Sequence, residues 1–204
     1  MRDEKSSEET LPITTYRDNT SVFRLKDLPE NATDNRSSSI PKKRGFTIDE
    51  QVLLLLSLDR EPIIGRILFT KEAFLLNHEL VSNGLKVQNM KFVPYMYGPY
   101  SFVLTETINS MEYVGLIARK GIRGSRKESF ELTDQGKKVG KEVLKMLSFI
   151  SEDLVRKLGE KRVGWDQLGT DGILLFVYRN FQQFTDRSKL KEKFKPIDYG
   201  KGKG

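Results

Sequence analysis

Apolar periodicity begins abruptly at Phe46, and that boundary limits what the chain can fold into. Residues 1–45 carry nine Lys or Arg and eight Asp or Glu, with polar runs such as Asn31-Ala32-Thr33-Asp34-Asn35-Arg36-Ser37-Ser38-Ser39. Their single apolar patch is Val22-Phe23-Arg24-Leu25. A segment of this composition cannot bury enough apolar surface to offset its chain entropy. It is expected to be a disordered arm, closed by the basic cluster Lys42-Lys43-Arg44. Residues 46–195 have core-forming patterns. A body of about 150 residues can bury roughly 68–70% of its unfolded surface, enough for a sizeable core.

Five helices and a hairpin are legible in that body. Thr47 followed by Glu50 reads as a capping box, opening a nearly all-buried helix over 47–58 around the run Val52 to Leu56. A second helix over 67–81 places Leu68, Phe69, Ala73, Phe74, Leu76 and Leu80 at 3/4 spacing. The aromatic stretch Lys91 to Tyr100 reads as a short extended segment. Gly98 is expected to turn the chain, with Pro99 at the first position of a third helix over 99–114. That helix has a buried stripe of Leu104, Ile108 and Met111, and an outward polar stripe of Ser101, Thr105, Asn109 and Glu112. Two short strands, 116–120 and 129–132, flank a glycine-containing tip. Arg119, Lys120, Arg123, Arg126 and Lys127 put five cations in nine positions there, with no acid among them.

Thr133 then caps a long predicted helix over 134–158, with Val139, Val143, Leu147, Ile150, Leu154 and Leu158 recurring at 4-4-3-4-4 and Gly159 as its stop. The stripe suits pairing with a second copy as well as packing on the chain's own core. Both uses are open at this stage. Thr170-Asp171 begins a last helix carrying Ile173, Leu174, Phe176, Val177, Phe181 and Phe184. From Arg187 to Gly204 there are seven basic and two acidic residues, and 196–204 reads as a basic flexible tail.

The order of helix, turn, helix, extended stretch, helix and basic hairpin is that of a winged helix-turn-helix. The fold class is accordingly mainly α with a small β-hairpin (α+β), carrying a C-terminal helical extension. The expected division is a 1–45 arm, a 46–133 winged-helix domain, 134–195 helices for packing or dimerisation, and a 196–204 tail. In such folds the third helix enters the major groove and the wing rides the backbone. Arg119, Lys120, Arg123, Arg126 and Lys127 are the candidate phosphate contacts of the wing. Tyr100, Ser101, Thr105 and Asn109 are the candidate contacts of the third helix. That helix carries no Lys or Arg and includes Glu106 and Glu112. Arginine to guanine, the commonest base contact, is therefore unavailable to it.

The chain also resembles a family. Gly65-Arg66, Lys71, Phe74-Leu75-Leu76, Tyr97-Gly98-Pro99-Tyr100-Ser101, Gly115-Leu116-Ile117, and Leu132-Thr133 with Gly136 form an ordered set. Leu174-Leu175-Phe176-Val177-Tyr178, Phe184-Thr185 and Ser188 extend it downstream. These residues resemble the YwgA-type predicted winged-helix regulators of bacteria and archaea, which share the Tyr-Gly-Pro signature with Panacea antitoxin-like domains. The resemblance covers about residues 46–195 and implies a winged-helix fold and a regulatory role.

The composition excludes several chemistries. With no Cys there is no disulfide framework, thiolate nucleophile or Cys-held metal. The single His, His78, reads as a surface or satisfied side chain rather than a ligand. The carboxylates Asp166 and Asp171 have no partner constellation, and no phosphate-cradling loop follows a strand, so neither enzyme nor cofactor is expected. No apolar run approaches the ~20 residues that span a bilayer, and no leader is visible. The expected location is the cytoplasm, at the nucleoid. The net charge of +7 favours an anionic partner. Double-stranded DNA is the expected partner, for a transcriptional regulator or nucleoid-associated factor. The alternative is a protein-interaction module, antitoxin-like or complex-assembling, that uses the winged helix as a scaffold. RNA association is allowed by the charge, but no RNA-binding signature is present.

Overall fold

The computed structural model describes residues 45–190 and 193. The expected arm over 1–44, its Val22 to Leu25 patch, the Lys42-Lys43-Arg44 cluster and the 196–204 tail lie outside the described residues.

The first helix, α1 (Ile48–Ser57), opens with the expected capping box. Thr47 Oγ1 accepts from the Glu50 amide at 3.2 Å, and Glu50 Oε2 accepts from the Thr47 amide at 2.8 Å. Its Val52 to Leu56 run is fully buried. So is Gln51, whose amide group donates to the Phe46 and Gln88 carbonyls and accepts from Asn77. A buried amide satisfied on both sides fixes three chain segments at one point.

A two-residue strand, β1 (Ile63–Ile64), leads into α2 (Arg66–Ser82) through Gly65, whose φ of 97° suits glycine. Every residue of α2 from Leu68 to Leu76 is buried, including Thr70, Lys71 and Glu72. The 3/4 stripe expected there is widened to a whole surface because α1 and α5 (Glu152–Asn180) both pack against this helix.

Residues 93–100 form a hairpin rather than a single extended stretch. The strands β2 (Val93–Tyr95) and β3 (Gly98–Tyr100) pair antiparallel around Met96-Tyr97. Pro99 lies within β3 and does not start the third helix. That helix, α3 (Phe102–Tyr113), is capped by Ser101 instead. Its buried residues are Leu104, Ile108 and Met111, as the stripe predicts.

The strands β4 (Ile117–Lys120) and β5 (Ser129–Leu132) form the expected basic hairpin. The short strand β1 adds to β5, with Ile63 opposite Phe130. The sheet order is β1-β5-β4, all antiparallel. The fold is thus mainly helical with a small antiparallel sheet, in the α+β class.

The predicted single helix over 134–158 is two helices, α4 (Asp134–Ile150) and α5. Ser151 adopts an extended conformation and caps α5 by accepting from the Leu154 amide at 3.1 Å. The sequence Ser151-Glu152-Asp153 is an N-terminal signal, with a cap and acids in the first turn, that overrides the continuous stripe. Gly159 lies inside α5 and stops nothing. The break comes at Gly169, with φ of 60°, just before the expected start at Thr170. Val143, Leu147, Leu154 and Leu158 join the same core as α1 and α2, so α4 and α5 complete the core begun by residues 46–133. Gly136 is required there. A Cβ at this position would lie 1.9 Å from the Leu116 carbonyl oxygen, so α4 is seated directly on the chain entering β4.

Candidate nucleic-acid interface

The hairpin tip between β4 and β5 is organised by a residue the charge pattern does not flag. Glu128 has no exposed side-chain surface. It receives Arg119 at 2.9 Å, Arg66 at 3.2 Å and the Gly124 amide at 2.9 Å. Burial works to raise this carboxyl, but the Gly124 hydrogen bond and the two arginines outweigh it and hold it below its usual range. Gly124 and Gly121 both have positive φ, which lets the tip fold back onto Glu128.

The five cations of the β4–β5 hairpin divide accordingly. Arg119 is withdrawn from solvent. It pairs with Glu128 and Glu112, donates to Asn109 Oδ1 at 2.8 Å, and stacks over the Phe130 ring at 5.3 Å. It braces the hairpin. Lys120 is exposed but paired with Glu131 on the neighbouring strand at 2.5 Å. Arg123, Arg126 and Lys127 are exposed at the tip, and Arg123 donates to Asn109 Oδ1 at 2.5 Å.

The α3 candidates divide too. Ser101 is fully buried. Its hydroxyl donates to the Met90 carbonyl and accepts from the Leu104 amide at 2.9 Å, so it caps the helix and is not part of the outward stripe. Thr105 is half-buried. It bonds the Ser101 carbonyl at 3.1 Å and the Tyr100 hydroxyl at 2.9 Å. Asn109 holds both Arg119 and Arg123 with one oxygen. The polar face of α3 is thus joined to the β4–β5 hairpin and to the β2–β3 hairpin through its own hydrogen bonds.

The β2–β3 hairpin brings an aromatic group to the same face. Tyr95, Tyr100 and Phe102 form a mutual cluster with ring centroids 5.0–5.7 Å apart. Residues after α5 run against the hairpin turn. Ser188 and the Lys189 amide both donate to the Met96 carbonyl at 2.9 Å, and Ser188 also bonds Tyr178.

Lys71 and Glu72 of α2 and Arg162 of α5 are buried ionisable groups. Lys71 Nζ donates to the Pro99 carbonyl at 2.7 Å, and burial lowers its ammonium to about 7. Glu72 lies beside Arg162, both fully buried, with 3.1 Å between Oε2 and Nε. Burial pushes the Glu72 carboxyl up to about 8, against the opposing pull of Arg162. Lys71 is one of the residues of the family resemblance, but the burial of neither Lys71 nor Glu72 was legible in sequence, since both fall between core positions of α2 and their burial comes from α5 and β3. His78 is exposed and meets the Phe181 ring edge-on at 4.9 Å between centroids. Among the described residues no group of three His, Asp or Glu is placed to hold a metal ion. No helix among them is long and apolar enough to cross a membrane.

No protein-family profile matches the chain, and no curated protein matches it.

Proposed function

We propose that this chain is a DNA-binding protein on the winged-helix plan, a transcriptional regulator or nucleoid-associated factor that grips phosphates with the β4–β5 tip. The observation that carries this reading is the tip itself. Three exposed cations, Arg123, Arg126 and Lys127, stand on a hairpin braced from within by Glu128. Phosphate contacts by such cations set affinity without reading sequence. The order α1-β1-α2-α3-β4-β5 and the sheet order β1-β5-β4 support the winged-helix assignment. So does the resemblance of 46–195 to the YwgA-type regulators.

Sequence preference is expected to be low. Ser101 is buried, Thr105 and Asn109 are engaged, and Arg119 is a brace, so α3 offers few groups for base edges. This favours the nucleoid-associated form over an operator-specific one, and no catalytic role is proposed. Three tip contacts correspond to a log–log salt slope of about −2.7. Anisotropy titration of a 30-mer duplex at two salt concentrations measures it. The double change Arg123→Ala and Arg126→Ala is expected to reduce the slope by about 2 and to weaken all duplex sequences alike. An unchanged slope would remove the wing as the contact.

A second reading, a protein-interaction module or a homodimer, is favoured by one observation. Met146, Phe149 and Ile150 at the end of α4 are exposed apolar side chains. Light scattering tests it: a dimer gives twice 23.5 kDa.

A further inference from the structure

The exposed aromatics beside α3 are absorbed neither by the core nor by the wing. Phe102, at the start of α3, is 55% exposed, and Tyr97 (41%) and Tyr95 (37%) are exposed in a hairpin whose Gly98 and Pro99 are buried. Three exposed rings within eight residues form an apolar patch that calls for a partner to cover it. Its charge is indicated by the surroundings. On one side the segment held to the Met96 carbonyl places exposed Arg187 and Lys189 next to the turn. On the other, α3 leads from Phe102 through Thr105 to Asn109 on one face, and Asn109 holds Arg123 of the wing tip. Phe102 to Asn109 is seven residues, about 10 Å along the helix axis. That is about the length of three stacked nucleotides. The acids of this region are Glu112, which is paired with Arg119, Glu106, which is exposed on the adjoining side of α3, and Asp186, which is exposed beside Arg187 and leaves the segment from Asp186 to Lys189 with one net positive charge.

Rings flanked on both sides by cations are the arrangement that holds a single strand: bases stack on the aromatic faces while the cations follow the backbone. A plain duplex keeps its base faces covered and cannot use the rings. We infer that the β2–β3 hairpin and the start of α3 form a stacking platform for unpaired bases, with Tyr95 and Phe102 as its stacking residues, so that the chain binds single-stranded nucleic acid. This rests on the reading of the wing as a nucleic-acid contact and adds the form of nucleic acid that the whole face accepts. Thr105 and the Tyr100 hydroxyl, bonded to each other, lie between the rings and the wing and keep the Tyr100 ring fixed in the cluster.

The test uses the full chain and labelled oligo-dT and oligo-rU 20-mers beside the 30-mer duplex, read by anisotropy at low salt. The expected result is tighter binding of at least one single strand than of duplex. The double change Tyr95→Ala and Phe102→Ala should lower single-strand affinity about tenfold or more and leave duplex affinity within about twofold. Phe102→Leu keeps the apolar bulk and removes the ring, and should lose single-strand affinity in a chain whose circular dichroism melt is unchanged. If wild type prefers duplex, or if the variants weaken both forms equally, the platform is overturned while the wing reading stands. If neither form binds at low salt, both readings fall together, and the aromatic face belongs to a protein partner.

Discussion

At Glu128 a carboxylate with no exposed surface meets two guanidinium groups and a backbone amide. Removing one member of a buried pair leaves the others charged and without compensation, which costs about 3–5 kcal/mol. Glu128→Ala is therefore expected to destabilise the fold by about that amount, seen as a lower urea midpoint. A loss below 1 kcal/mol would mean that Arg66 and Arg119 find water instead. Ser101 makes a contrasting case. Ser101→Ala removes the α3 cap and the bond to Met90, and about 1–2 kcal/mol of stability is expected to go with them. Duplex affinity per folded molecule should stay within about twofold, because the hydroxyl faces the interior. A large affinity loss in a fully folded Ser101→Ala protein would return this residue to the interface.

The helix α4 shows how one stripe can serve the core and yet leave apolar surface outside. Leu147 is fully buried, whereas Ile150, in the same 4-4-3-4-4 pattern, is 53% exposed. The divergence comes from Ser151, which ends α4 and turns the chain into α5 before Ile150 can be covered. Leu147→Asp therefore places a charge in the core and is expected to abolish the cooperative melt. Ile150→Asp should change the melting temperature by no more than a few degrees. Circular dichroism of the two variants separates them. A probe of dimerisation through α4 must accordingly use Met146, Phe149 or Ile150 and leave Leu147 intact.

For the whole molecule, adjacent buried charges of opposite sign on α2 shape stability against pH. Burial lowers Lys71 from 10.5 to about 7, so the unfolded chain binds more protons over that interval. Stability tied to Lys71 is present above 10.5 and is lost as pH falls through about 7. Burial raises Glu72 from 4.5 to about 8, so its contribution is present below 4.5 and is lost as pH rises through about 8. The two slopes have opposite sign and overlap between about 7 and 8. The melting temperature is expected to fall from about pH 5 towards neutrality, pass a flat minimum, and rise again in the alkaline range. Lys71→Met should abolish the alkaline rise. A wild-type curve with its maximum between pH 7 and 8 would show that these groups are not held as described.

What the sequence determined by itself is local or periodic. The Thr47-Glu50 box, the α3 stripe, the strands β4 and β5, and the onset of core pattern at Phe46 are each set by neighbours within a few residues, where spacing and capping chemistry decide the backbone. The cations of the β4–β5 hairpin were legible as a cluster, but their division into braces and exposed charges was not. That depends on Glu128, which lies just outside the run and is buried only when β5 pairs with β4 and Arg66 of α2 approaches. The widening of the α2 stripe to take in Lys71 and Glu72 was invisible for the same reason: a helix reads as one-sided until a second element, here α5, covers its other face. The joining of Tyr95, Tyr100 and Phe102 into one exposed group likewise waited on the β2–β3 pairing. Local chemistry named the elements. Contacts between residues distant in the chain decided which of their charges and rings face solvent.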